Sequence, residues 1–130
     1  MGLHEALYTR LGAVSAYTAL VGTRTYAERL PQQPTAPYVR VEIDDDEQAA
    51  HAMGSDTSLR RAYVRFYCFA ATGDGARAVS AALIAALRRY TGTSASVVID
   101  DCYIRGDRPI EDDDAKLLGR LVEFEICYQG

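Results

Sequence analysis

Between Leu59 and Gly92 a period-two pattern runs straight into a period-3.6 pattern, and few folds accommodate that order. Ala62, Val64, Phe66, Cys68 and Ala70 alternate with Arg61, Tyr63, Arg65, Tyr67 and Phe69, as in a strand with one buried face. A Gly-Asp-Gly turn follows, and Val79, Ala82, Leu83, Ala86, Leu87 and Tyr90 then fall at the three-and-four spacing of a helix stripe. The stripe needs an apolar partner, and the strand beside it supplies one. These residues predict a long strand feeding a helix that Thr91-Gly92 ends.

The flanks extend the same architecture. Leu3, Leu7, Leu11 and Val14 predict a helix over 3–16, and Tyr17 to Val21 a short second one stopped by Gly22, a residue suited to a left-handed cap. Pro31, Pro34 and Pro37 make Thr23 to Pro37 an extended connector. Val39, Val41 and Ile43 alternate with Arg40 and Glu42, so Tyr38 to Asp44 is a first strand. Gln48 to Ser58 is small and polar and reads as a loop or hairpin tip. The twelve-residue strand that closes it would span about 40 Å, so part of the hairpin is expected to project. Val97 to Ile104 is a third strand, Arg105 to Gly119 a polar connector, and Arg120 to Gln129 the last strand. Val122, Phe124, Ile126 and Tyr128 face one way there, and Glu123, Glu125 and Cys127 the other.

The expectation is one domain over 1–130, α+β, with a four-stranded, mainly antiparallel sheet, helices on one face and a long projecting hairpin. At 130 residues with 48% hydrophobic content, such a chain buries roughly two-thirds of its unfolded surface and needs no metal or disulfide. The uncovered sheet face would carry Arg40, Glu42, Tyr63, Arg65, Tyr67, Glu123 and Glu125. Arginine and tyrosine pack and hydrogen-bond at once, which suits a partner surface. The same pattern also describes a solvated face with cross-strand ion pairs, each worth under ~1 kcal/mol.

Composition excludes several functions. Net charge is −4, and no basic stripe is concentrated enough to grip nucleic-acid phosphates. Thirteen arginines stand against the single Lys116, beside twenty alanines, which fits forked ion pairs at interfaces and fits a GC-rich coding bias equally. Cys68, Cys102 and Cys127 are odd in number and unpaired in spacing, so reduced thiols in a cytosolic setting are expected. The start has no cationic-then-apolar leader, and no apolar run reaches membrane-spanning length. Neither secretion by the usual signal nor a membrane partner is expected.

Catalytic and metal motifs fail on inspection. His4 and His51 stand alone, so no zinc site is expected. A calcium loop from Asp44 would have Ala49 in place of its turning glycine and Ser55 in place of its bidentate glutamate. One from Asp112 reaches Glu123 but places Lys116 at a ligand position and Leu117 at the glycine. Gly92-Thr93-Ser94-Ala95-Ser96 lacks the closing glycine of a nucleophile elbow. Arg105-Gly106-Asp107 matches an adhesion tripeptide, a length that recurs by accident. The acidic runs Asp44-Asp45-Asp46-Glu47 and Asp112-Asp113-Asp114 sit in small-residue segments, where carboxylates are ordinarily solvated rather than held for acid–base work. No enzyme activity, cofactor or metal is expected.

The order Leu20-Val21-Gly22, Arg24, Tyr26, Leu30-Pro31 and Pro37-Tyr38-Val39 continues with the strand Ala62 to Ala70, running through Ala71-Thr72 into an alanine-rich helix. With the terminal Phe124-Glu125-Ile126-Cys127-Tyr128, that order resembles the small tail-completion proteins of long-tailed bacteriophages, also called tail terminators or tail-to-head joining proteins. The resemblance spans the whole chain and departs in the two acidic segments. It implies an α+β subunit of a hexameric ring at the head-proximal end of the virion tail, assembled in the host cytoplasm. Such a ring contacts the tail tube protein and the head-closure connector and lets DNA pass without specific binding. It also implies that neighbouring copies share the Arg40, Glu42, Tyr63, Arg65, Tyr67, Glu123 and Glu125 face, and that the acidic runs stand at the channel or a partner. A small-ligand or regulatory α+β binding domain is the alternative, and an enzyme with an acidic metal site a more distant one.

Overall fold

A computed structural model describes residues 2–27, 35–48, 51–52, 55–56, 59–112 and 117–129. Three helices, α1 (Leu3–Gly12), α2 (Ser15–Val21) and α3 (Gly73–Leu87), accompany eight strands. These are β1 (Thr25–Ala27), β2 (Tyr38–Gln48), β3 (His51–Ala52), β4 (Ser55–Asp56), β5 (Leu59–Ala70), β6 (Gly92–Ser94), β7 (Val97–Asp112) and β8 (Leu117–Gln129). The main sheet has six strands in the order β1-β2-β5-β8-β7-β6, and β3 and β4 form a separate two-stranded ribbon. The α+β class therefore holds, and the expected four strands become six in one sheet. The two additions are three-residue edges: β1 joins parallel to β2 and β6 antiparallel to β7. Segments that short carry no readable period.

The central strand and helix form as their patterns dictate. Ala62, Val64, Phe66 and Cys68 are fully buried, and they meet Val79, Leu83, Ala86 and Leu87 of α3 and Leu3, Leu7 and Leu11 of α1 in one core. The Phe66 and Phe124 rings meet edge-to-face at 5.9 Å and 89°, a favoured aromatic geometry. On α2 the cap is Gly22, at φ 59° with its N–H donating to the Thr18 carbonyl at 2.8 Å. Helix α3 starts where the Thr72 hydroxyl accepts the Gly75 N–H at 3.0 Å. Thr72 is exposed, so Thr72→Ala removes little but the cap and should cost about 1 kcal/mol, read as a shift in the urea midpoint. An unchanged midpoint would show that the cap carries no weight.

Other expectations shift. The first helix stops at Gly12 because Val14 is already extended (φ −99°, ψ 107°) as the N-cap of α2. Thr91-Gly92 does not end α3: the helix closes at Leu87, and Gly92 opens β6. The connector from Thr23 contains β1; its part at 28–34 lies outside the described residues. Polar character hid two stretches of strand. The first strand continues through the acidic run to Gln48, and β7 continues through Arg105-Gly106-Asp107 to Asp112. Cross-strand ion pairs stabilise the β7 stretch, where an apolar period is absent. Strand β5 pairs with β8 from Leu59 to Ala70, so its length is used inside the sheet. The segment beyond it includes the ribbon, with His51 opposite Asp56.

Gly119 shows why one backbone position admits no side chain. A Cβ there would sit 2.7 Å from the Phe69 ring and 2.8 Å from the Cys68 carbonyl oxygen. The Phe69 ring of the neighbouring strand occupies the space over the glycine.

Candidate functional site

All three helices lie on one side of the main sheet, where Val39, Val41, Val64, Phe66, Val122, Phe124 and Ile126 are buried. Strand alternation sends the other half of the side chains to the opposite face. The register aligns them in rows: Arg40 beside Tyr67 and Leu121, Glu42 beside Arg65 and Glu123, and Asp44 beside Tyr63 and Glu125. All seven expected face residues, Arg40, Glu42, Tyr63, Arg65, Tyr67, Glu123 and Glu125, thus meet on the helix-free face. Each is half-buried.

The face is organised by charge. Arg65 reaches Glu42 at 3.0 Å and Asp44 at 3.1 Å, and hydrogen bonding to Glu42 raises its already high pKa. Arg40 binds Glu42 at 3.3 Å and lies 4.2 Å above the Tyr67 ring. Arg105 binds Glu125 at 2.8 Å and stands 5.9 Å from the Tyr63 ring centre, while Arg108 binds Glu123 at 3.2 Å. Arg61 stands 4.0 Å from Glu125. Read across the sheet, the middle of the face is striped: acidic Glu42 and Asp44 on β2, basic Arg61 and Arg65 on β5, acidic Glu123 and Glu125 on β8, basic Arg105 and Arg108 on β7. Arg40 and Asp101 stand apart from the stripes, Arg40 on Tyr67 and Asp101 against Arg89 at 2.9 Å. Most of these charges are held by a neighbouring strand, so the face is ordered within the chain.

A depression of about 300 Å³ opens at the centre, lined by Asp44, Tyr63, Val64, Arg65, Arg105, Glu123 and Phe124. The sequence pattern puts Arg105 and Arg108 in a connector, whereas both stand on β7. The signal was present in the alternation of Tyr103 and Arg105 against Cys102 and Ile104.

The acidic runs do not converge. Asp44 pairs with Tyr63, toward the Leu59–Gln129 end of the sheet, whereas Asp112 pairs with Leu117 at the other end. Seven residues of β5 separate the Tyr63 and Ala70 levels, roughly 23 Å of strand. Asp45, Asp46 and Glu47 continue β2, and Asp113 and Asp114 lie outside the described residues.

Among the described residues, no group of His, Cys, Asp and Glu gathers to hold a metal ion. The three cysteines are free. Burial pushes the Cys102 thiol up to about 12 and raises Cys68 and Cys127 as well, so each resists forming a nucleophilic thiolate. The Arg105-Gly106-Asp107 side chains are engaged within the chain, Arg105 by Glu125 and Asp107 by Arg120 at 2.8 Å. No helix among the described residues is long and apolar enough to cross a membrane.

Residues 5–129 match the family described as Tail completion protein gp17. The chain belongs to that family. Membership makes it a structural protein of the phage tail, associated with other tail and head components of the virion. Comparison with curated proteins found no match. Among solved structures, a chain from "Virion of native gene transfer agent (GTA) particle" superposes with TM-score 0.75 at 20% identity, covering 98% of this chain and 95% of that one. A second solved chain gives TM-score 0.55 at 17% identity, over 91% and 86% of the two chains. At these identities the likenesses establish the fold.

Proposed function

We propose that this family member forms a hexameric ring that caps the tail tube, stops its growth, and joins it to the head-closure complex around a channel for DNA. The observation that carries the reading is the helix-free face, where Arg40, Glu42, Tyr63, Arg65, Tyr67, Glu123 and Glu125 lie together, half-buried and cross-linked by ion pairs. It is the surface that sister copies share. Ordered arginine and tyrosine side chains are what interface centres use. The neighbour with TM-score 0.75 belongs to a virion particle, which supports a place in the assembled tail. Electron microscopy of tails assembled with and without the chain tests the role. Tubes of uncontrolled length that fail to join heads in its absence are expected, and normal joined tails in its absence would refute it.

In this ring the acidic runs Asp44 to Glu47 and Asp112 to Asp114 face the channel at two levels, a reading supported by Asp44 and Asp112 standing toward opposite ends of the sheet. Carboxylates there repel DNA phosphates and let the duplex slide. Reversing either run to lysine should slow DNA ejection, most strongly at low salt, where screening lengths are long. Ejection rates that ignore both the charge and the salt would remove the runs from the channel.

A further inference from the structure

We infer that the helix side of the sheet carries a second docking surface, a trough beside α3 that takes an amphipathic helix of another virion protein, laid antiparallel to α3. The inference lies outside the ring reading, because the trough is on the side opposite the charged face. Helix α3 crosses the sheet on a slant. It begins at Gly73, just after β5 ends at Ala70, and at its far end the Arg89 N–H donates to the Cys102 carbonyl of β7 at 2.9 Å. That slant leaves one corner of the helix side open, where Pro109 stands opposite Arg120 and Glu111 opposite Leu118, in line with buried Val122. Two adjoining depressions of about 480 and 550 Å³ occupy the corner and share Arg77 and Arg120 in their walls. Leu118 lies in the first, 41% exposed, one of three large apolar side chains left open among the described residues. Exposed apolar surface of this extent marks a contact site.

The wall of the trough is a second stripe on α3. Arg77, Ala81, Ile84 and Arg88 line it at spacings of four, three and four, a single row along a helix of roughly 16 Å. The row is separate from the core stripe of Val79, Leu83 and Leu87. A helix with two apolar stripes needs cover on both; the sheet covers the first, and the second is open to the trough. Ala81 and Ala85 are small and exposed, so a neighbouring helix can approach closely and seat larger side chains between them. A strand is a poor occupant. The register of β7 slips between Ile104 and Gly106, and Pro109 supplies no N–H, features that discourage strand addition. With sheet for a floor and α3 for a wall, the trough is a vacant place in the helix layer.

Charge sets the direction of the occupant. Along the trough Asp74 holds Arg77, and Asp107 holds Arg120 at 2.8 Å. Arg88 lines one depression and Glu111 the other. Both are exposed and, among the described residues, neither has an ion-pair partner. The trough is thus positive where α3 ends and negative where it begins. Helices favour acidic residues in the first turn and basic ones in the last, so an antiparallel occupant sets acid against Arg88 and base against Glu111. A parallel one would oppose like charges at both ends.

Two synthetic helical peptides of α3's length test the trough on the full chain. Both carry the same leucine stripe and are stapled on the outer side to fix the helix; one has Glu in its first turn and Lys in its last, the other the reverse. In fluorescence anisotropy the first should bind about tenfold more tightly at low salt, and high salt should narrow the gap. Arg88→Glu should remove the preference. Ala81→Glu, at an exposed position, should weaken the first peptide about tenfold by placing a charge in the apolar wall, with the urea midpoint unchanged. Equal affinity for the two peptides, binding of neither, or indifference to both substitutions would overturn the trough. A photo-crosslinking residue at Ala85 then tests the partner in assembled tails: mass spectrometry of the adduct should find a helical segment of a different virion protein. An adduct with a second copy of this chain, or none, would overturn that assignment. Neither readout depends on how the ring closes, so failure of the ring reading and failure of the trough are distinguishable.

Discussion

Tyr63→Ala combined with Arg65→Glu should abolish ring formation on tails while leaving a folded monomer. Arg65 holds both Glu42 and Asp44, at 3.0 and 3.1 Å, and Tyr63 walls the central depression beside Arg105. A glutamate at 65 would stand among Glu42, Asp44 and Glu123, turning three stripes into one acidic field. Like charges opposite one another across strands destabilise their pairing, and the ordered face that a neighbour requires is lost. The fold should survive, because neither side chain belongs to the core and Arg65 is 37% exposed. A cost of about 1–2 kcal/mol is expected in urea unfolding. Unaltered rings in electron micrographs of tails would contradict the assignment of this face.

The second large effect is on stability. Phe124→Ala should cost about 3–5 kcal/mol, since the ring is wholly buried and its removal leaves a cavity the surrounding sheet and helices cannot fill. Phe124 faces Phe66 edge-to-face at 5.9 Å, so the two truncations share one hole and should not add. Aromatic pairs contribute about 0.5–1.5 kcal/mol beyond area burial, and a double-mutant cycle by urea unfolding should return a coupling of that order. Full additivity, or a Phe124→Ala cost under about 1 kcal/mol, would show that the two rings are not the centre of the core. Both side chains belong to the core under the helices and neither carries a charge of the opposite face, so assembly at temperatures where the variant is folded should be unchanged.

The contrast between these variants shows what the chain discloses. The helix stripe of α3, the alternation of β5 and β8, and the Gly22 cap were legible because burial writes a period into the sequence. The seven face residues were legible for the same reason: they are the other half of that alternation. The extent of β7 was hidden, because Arg105, Asp107 and Arg108 find opposite charges on β8 and need no apolar period. The edge strands β1 and β6 were hidden because three residues cannot establish any period. With β7 unread, the places of Arg105 and Arg108 were invisible, and so was the charge striping of the face. The acidic runs were conspicuous in composition, yet their separation to opposite ends of the sheet follows from strand register, which composition does not contain.

The central claim is that the helix-free face of the sheet is completed by a sister copy. A cryo-electron microscopy map of the head-proximal end of assembled tails tests it most directly. The account predicts a six-fold ring in which the face bearing Arg40, Tyr63, Arg65 and Tyr67 of each subunit is covered by the next; a tail end where that face is open to solvent in every subunit would contradict it.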